Sequence, residues 1–129
     1  MKEINFLRPI SPETMIPALP IGLEEGKIET VEVTLDLAKV DHQWKKDNFS
    51  YSGINGGDRK EKKIQGICKS FENTNDLHMP IFYITNNEPE NIFFVDGRHT
   101  TAFLYESGYK KAVFIIPKIQ EEIIKFVFS

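Results

Sequence analysis

Residues 91–108 read NIFFVDGRHTTAFLYESG, and this stretch decides the fold that the sequence predicts. Ile92 to Val95 is a short apolar run of residue types that suit a strand, and Asp96-Gly97 is a strong turn signal. Thr100 to Tyr105 can continue as one helix, and Gly108 can end it because glycine accepts the left-handed conformation common at helix ends. The stretch therefore predicts a strand, a turn and a helix in succession.

Polar side chains crowd the predicted start of this helix, where Arg98, His99, Thr100 and Thr101 follow one another. Unpaired backbone N–H groups and the positive end of the helix dipole make such a start a favourable place for an anion. Arg98 adds a planar fork of donors that suits phosphate. We therefore predict a phosphate-binding site here.

The run Asp96-Gly97-Arg98-His99, followed by an apolar helix, Gly108 and an apolar strand from Ala112 to Ile116, resembles the signature of the ParB/sulfiredoxin superfamily. More narrowly, it is similar to the branch that contains ParB-like nuclease domains and the plasmid fertility-inhibition factors Osa and FiwA. Members of the superfamily bind nucleotide phosphates at this turn, and some cleave DNA. The resemblance covers the motif alone. It implies an α+β fold with a small mixed β-sheet and two or three helices.

The resemblance also implies an activity: the domain would bind the phosphates of a nucleotide or of DNA, and would hydrolyse them weakly as a nuclease or NTPase. In that interpretation Gly97, Arg98, Thr100 and Thr101 hold phosphate, and the catalytic residues are Asp96, Arg98 and His99. Asp96 would fix the turn, and His99 would act as acid or base, although a helix-start histidine bonded to the backbone is an equal alternative. Mg²⁺ and ATP or CTP are the implied cofactors.

Thr100 departs from the family pattern, which usually places a second arginine there. Threonine can donate a hydrogen bond but brings no charge, so the departure affects catalysis more than binding. It favours an alternative function, a non-catalytic binding or inhibitory module of plasmid-transfer or effector type that keeps the fold and uses the pocket for regulation. The candidate partners are nucleotide or DNA phosphate, or a protein.

The segment from Asp41 to Asp58 is polar, aromatic and rich in glycine, and we interpret it as a loop that forms the mobile wall of the same pocket. Glycines let a backbone approach a ligand closely, lysine can add charge, and an aromatic ring can stack on a base. The predicted ligand-binding residues of the loop are Lys45, Tyr51, Gly53, Gly56 and Gly57. The alternative is a surface loop that its aromatic residues pin to the core.

Composition bounds the function classes. The 129 residues, 40% of them hydrophobic, suit one domain over residues 1–129, and a net charge of −3 argues against broad binding to duplex DNA. Cys68 is the single cysteine, so no intrachain disulfide or cysteine-based zinc site is expected, and the three histidines show no ligand spacing. With no apolar run of 18 residues and no signal-peptide pattern, we predict a cytoplasmic protein without a membrane partner.

The flanking segments follow simple patterns. Four prolines predict an extended arm over residues 1–26, in which Ile4 to Leu7 can pair as an edge strand. Residues 28–37 alternate as a strand that turns Val31, Val33 and Leu35 inward, and a turn of helix is expected to follow it. Asp58 is expected to cap a helix together with Glu61. The apolar stripe of that helix consists of Ile64, Ile67, Cys68 and Phe71.

The remaining predictions concern the second half of the chain. Residues 73–78 are expected to form a loop, and Ile81 to Ile84 should form a hairpin with Ile92 to Val95. Lys111 to Ile116 is apolar enough for a strand buried on both faces, which Pro117 ends. Glu121 to Phe128 fits either a short helix or an edge strand.

Overall fold

The computed structural model describes residues Met1–Ser129 and has a mixed α+β fold with four α-helices and two small sheets. The strands are β1 Asn5–Leu7, β2 Thr30–Asp36, β3 Asp76–His78, β4 Ile81–Ile84, β5 Ile92–Asp96 and β6 Lys111–Pro117. The helices are α1 Leu37–Trp44, α2 Glu61–Thr74, α3 Arg98–Glu106 and α4 Glu121–Phe128. The predicted α+β class is confirmed, whereas the predicted number of helices, two or three, was too low.

The larger sheet has the strand order β2-β6-β4-β5. β6 runs antiparallel to β2 and parallel to β4, and β4 forms the predicted antiparallel hairpin with β5. The sheet is therefore mixed, as expected. β1 pairs with β3 in parallel and makes a separate two-stranded sheet, which confirms an edge strand in the N-terminal arm.

Both faces of the larger sheet are covered, which explains the continuous apolar run in β6. Phe114 and Ile116 of β6 belong to the main core with residues of the helices, while Ile115 packs in a second cluster with Ile16 and Ile21 of the N-terminal arm. Alternate side chains of a strand point to opposite faces. The N-terminal arm thus covers the sheet face opposite the helices.

Helix α1 extends into the segment that was predicted to be a loop, because its last four residues, 41–44, belong to that segment. The predicted start of the loop at Asp41 was therefore wrong. The carboxylate of Asp36 accepts the Lys39 N–H at 3.0 Å, which caps the helix. Leu37, Val40 and Trp44 are its buried apolar residues. Polar residues between Val40 and Trp44 hide this spacing in the sequence.

Helix α2 presents the predicted apolar stripe to the main core, but it begins differently from the prediction. Lys60 occupies the position before its first residue, and no side chain caps it. Asp58 instead binds Ser52 and Arg98. The predicted loop over residues 73–78 was also wrong in part, because α2 extends to Thr74 and β3 follows.

The final segment is a helix, one of the two structures that its pattern allowed. Ile124 and Phe128 of α4 are fully buried against the core, while Phe126 is exposed. Packing of one face selects the helix.

Candidate functional site

The turn before α3 requires glycine. Gly97 has a φ of +82°, and a Cβ added there would lie 2.7 Å from the Cα of Pro80. The Gly97 carbonyl accepts both the backbone N–H and the hydroxyl of Thr101, each at 2.9 Å. Thr101 is buried with its hydroxyl engaged, so the predicted contact of that hydroxyl with phosphate does not fit this geometry.

His99 points into the protein. It is 4% exposed, and its Nε2 accepts the backbone N–H of Lys60 at 3.2 Å. Burial, assisted by the positive charge of Arg98, lowers the pKa of His99 below the ordinary value of histidine. The ring is therefore neutral, with the proton on Nδ1, and it ties the start of α3 to the residue before α2. This is the backbone-bonded alternative of the sequence analysis.

The buried His99 predicts a pH dependence of stability. Since its pKa is lowered in the folded protein, the unfolded chain takes up this proton first as the pH falls. The His99 contribution is complete above the unfolded pKa of 6.5 and is lost as the pH falls below it. His99→Gln, which can still accept the Lys60 N–H, should flatten the decline of the unfolding free energy between about pH 7 and pH 5. Chemical denaturation at several pH values measures this. An equal slope in His99→Gln and in the exposed control His42→Gln would contradict it.

Arg98 lies on one side of the turn, where it is paired. Its Nε donates to Asp58 Oδ2 at 2.5 Å, and the Ser52 hydroxyl donates to the same oxygen at 2.6 Å. Partial burial acts to raise the pKa of Asp58, but these two hydrogen bonds outweigh it and lower that pKa. The two terminal nitrogens of Arg98 make no hydrogen bond within the chain and can still donate to a ligand.

A small aromatic cleft lies beside Arg98. Its volume is about 210 Å³, and it is lined by Trp44, Phe49, Ser50, Asp58, Ile92, Phe93, Phe94 and Arg98. Arg98 and Asp58 are the only charged residues among them, and they neutralise each other. The cleft is consequently more apolar than a phosphate site requires.

The glycine-rich segment is organised around Tyr51. Tyr51 is 7% exposed, donates a hydrogen bond to the buried Asp41, and packs edge-on against Trp44. Burial, together with that hydrogen bond, raises the pKa of Tyr51. A Cβ on Gly53 would lie 2.1 Å from the Tyr51 ring, and one on Gly56 would lie 2.0 Å from its carbonyl oxygen. These glycines make room for Tyr51, so the interpretation as a loop pinned by aromatics fits better than a ligand wall.

The other predicted residues of this segment, Lys45 and Gly57, line neither of the two clefts beside the motif. A Cβ on Gly57 would lie 2.9 Å from the carbonyl oxygen of Asn48, so this glycine too is needed for a close backbone approach. Lys45 is exposed and lines neither of the clefts beside the motif. Arg59, which directly follows the segment, binds α3: it donates to both carboxylate oxygens of Glu106 at 2.7 and 2.8 Å.

A second cleft, which we call the polar cleft, opens on the other side of the turn between α2 and the first turn of α3. Its volume is about 410 Å³. It is lined by Lys63, Gly66, Ile67, Ser70, Asp76, Leu77, His78, Asp96, Gly97 and Thr100. The predicted site residues Asp96, Gly97 and Thr100 thus meet here, apart from Arg98 and His99.

The polar cleft brings in two residues that sequence reasoning missed, Lys63 and Ser70 of α2. The Lys63 ammonium forms no ion pair, and the hydroxyls of Ser70 and Thr100 make no hydrogen bond within the chain. One sequence signal for Lys63 was available, the group of basic residues in and just before this helix, Arg59, Lys60, Lys62, Lys63 and Lys69. It could not show which lysine lies beside the turn.

Searches against protein-family models, curated proteins and solved structures found no match. No group of three or more His, Cys, Asp or Glu side chains is placed to hold a metal ion by itself. None of the four α-helices is both long and apolar enough to cross a membrane.

Proposed function

We propose that this chain is a ParB/sulfiredoxin-like domain that binds a nucleotide through its phosphates in the polar cleft. One observation carries the proposal: the first turn of α3 faces the free ammonium of Lys63 and the free hydroxyls of Ser70 and Thr100 across one cavity. Such a set of donors at a helix start suits phosphate oxygens.

The size and charge of the polar cleft favour a single nucleotide over DNA. About 410 Å³ lies within the range of small-ligand sites. Asp76 and Asp96 also line it, and together with the net charge of −3 they oppose a long polyanion. Two carboxylates beside a phosphate site are also the usual protein contribution to Mg²⁺ binding, in which the phosphates supply further oxygens. The residues present therefore fit Mg²⁺ bound together with ATP or CTP.

The same geometry favours binding over catalysis. His99, the predicted acid or base, has its Nε2 engaged by a backbone N–H and is buried. Arg98 is paired with Asp58 on the opposite side of the turn, and Thr100 supplies no charge to the polar cleft. A transition state that develops charge on phosphate oxygens would lack preorganised cations there apart from Lys63. The non-catalytic module is thus the function that we propose.

Lys63→Ala should weaken the binding of ATP or CTP in the presence of Mg²⁺. A charged hydrogen bond contributes about 1.5–3 kcal/mol, which corresponds to about a 10- to 100-fold loss of affinity. Titration calorimetry measures it. The control is Lys62→Ala, which removes the same charge from the neighbouring exposed position outside the cleft. Omission of Mg²⁺ should also weaken binding, because Asp76 and Asp96 then repel the phosphates.

Three outcomes would contradict the proposed function. Equal affinities in Lys63→Ala and Lys62→Ala would remove the polar cleft as the site, and a specific loss in Arg98→Ala would move it to the aromatic cleft. Turnover of ATP or of short DNA by the wild-type protein, abolished in His99→Gln, would instead restore the enzyme interpretation.

A further inference from the structure

The N-terminal arm forms a groove of its own, which we call the arm groove. Its volume is about 1020 Å³, larger than that of either cleft beside α3. Every residue that lines it comes from one segment of the arm and the approach to β2: Glu13, Thr14, Met15, Ile16, Pro17, Ala18, Leu19, Leu23, Glu24, Glu25, Gly26 and Ile28. It is separate from both clefts beside α3.

The floor of the arm groove is apolar. Ile16 and Ile28 are buried there and belong to the cluster that packs on the sheet face opposite the helices. Met15 is 39% exposed and Leu19 is 87% exposed, although both are large apolar side chains. An unbranched methionine adapts to different partners, as is common at binding surfaces that accept several sequences. The floor can therefore gain from burial under an apolar partner.

The rim of the arm groove has one sign of charge. Glu13, Glu24 and Glu25 line it, and none of the three forms an ion pair. No lysine or arginine lines it. Three unpaired carboxylates around an apolar floor repel nucleic acid and anionic lipid surfaces, and they attract a cationic partner.

We propose that the arm groove docks a cationic amphipathic segment of a partner protein. Apolar side chains of that segment would cover Met15 and Leu19, while its lysines or arginines would lie against Glu13, Glu24 and Glu25. A helix in a groove presents residues in this arrangement, with anchors on one face and charges beside them. The groove is also larger than a single small cationic metabolite needs.

A charge-reversal experiment tests this inference. The probes are two fluorescent designed helical peptides with the same leucine face, one with lysine and one with glutamate at the polar positions. The full chain should bind the lysine peptide in fluorescence anisotropy. The triple variant Glu13→Lys, Glu24→Lys, Glu25→Lys should bind it at least about tenfold more weakly and should bind the glutamate peptide instead. Leu19→Asp should weaken the binding of the lysine peptide without such an exchange of preference.

The matched control is Glu88→Lys, Glu90→Lys, Glu122→Lys, which makes the same change in net charge at exposed positions outside the arm groove. It should keep the affinity for the lysine peptide within about twofold. Equal losses in both triple variants would reduce the effect to net charge and overturn the inference. Wild-type self-association in light scattering that the arm-groove variant abolishes would identify a second copy as the occupant, and would overturn it as well.

Discussion

Gln120→Ala is expected to lower the free energy of unfolding by about 2–5 kcal/mol. Gln120 is 0% exposed, and its Oε1 accepts the Ile84 N–H at 3.0 Å. Its Nε2 donates to the Ile84 carbonyl at 2.6 Å and to Asn87 Oδ1 at 3.0 Å. The side-chain amide thus pairs with the last residue of β4 as a neighbouring strand would. Each buried backbone group that loses its partner costs about 1–3 kcal/mol.

Urea denaturation measures this effect, and two further variants define its cause. Gln65→Ala, at an exposed position of α2, should change the unfolding free energy by no more than about 0.5 kcal/mol. Gln120→Glu keeps the acceptor for the Ile84 N–H but, when ionised, cannot donate to the Ile84 carbonyl, so most of the loss should remain at neutral pH. If Gln120→Ala lowered stability by less than about 1 kcal/mol, water would be replacing the amide adequately.

Sequence patterns predicted the elements whose signal is local. The β4–β5 hairpin, the stripe of α2 and the strand β6 each carry a period or a turn within a few residues. Gln120 carried no such signal, because its partner Ile84 lies 36 residues away in the chain. β3 was missed for the same reason, since three residues make a strand only when another segment, here β1, pairs with them.

In the candidate site, too, local features were predictable and contacts between distant residues were not. The turn at Gly97 and the helix start were predictable from the motif, and both are present. The direction of each side chain was not, because it depends on neighbours distant in sequence: Lys60 engages His99, and Asp58 engages Arg98. Lys63 and Ser70 join the polar cleft through the packing of α2 beside α3. Adjacent motif residues therefore serve different sides of the turn.

The glycines correctly predicted close backbone contacts, but they did not show which group makes the contact. Gly53 and Gly56 do permit a close approach, as their spacing indicated, but the group that approaches is Tyr51 of the same segment. A sequence shows that a Cβ is missing, and only the fold shows what occupies its place. The same uncertainty does not affect Gly97, where a turn between a strand and a helix already restricted the conformation.

Gly97→Ala is expected to lower the free energy of unfolding by about 2–5 kcal/mol. The left-handed conformation costs a residue with a Cβ about 1–2 kcal/mol. The overlap with the Pro80 backbone adds about 1–3 kcal/mol, because the Pro80 carbonyl is held by the Ile115 N–H at 2.9 Å. Gly66→Ala is the matched control: a Cβ there meets nothing within 4 Å, and alanine suits the interior of α2, so it should raise stability by about 0.5–1 kcal/mol. Urea denaturation of both variants measures the opposite signs. A Gly97→Ala protein as stable as the wild type would mean that the turn before α3 can relax, and that the polar cleft is not held rigidly by it.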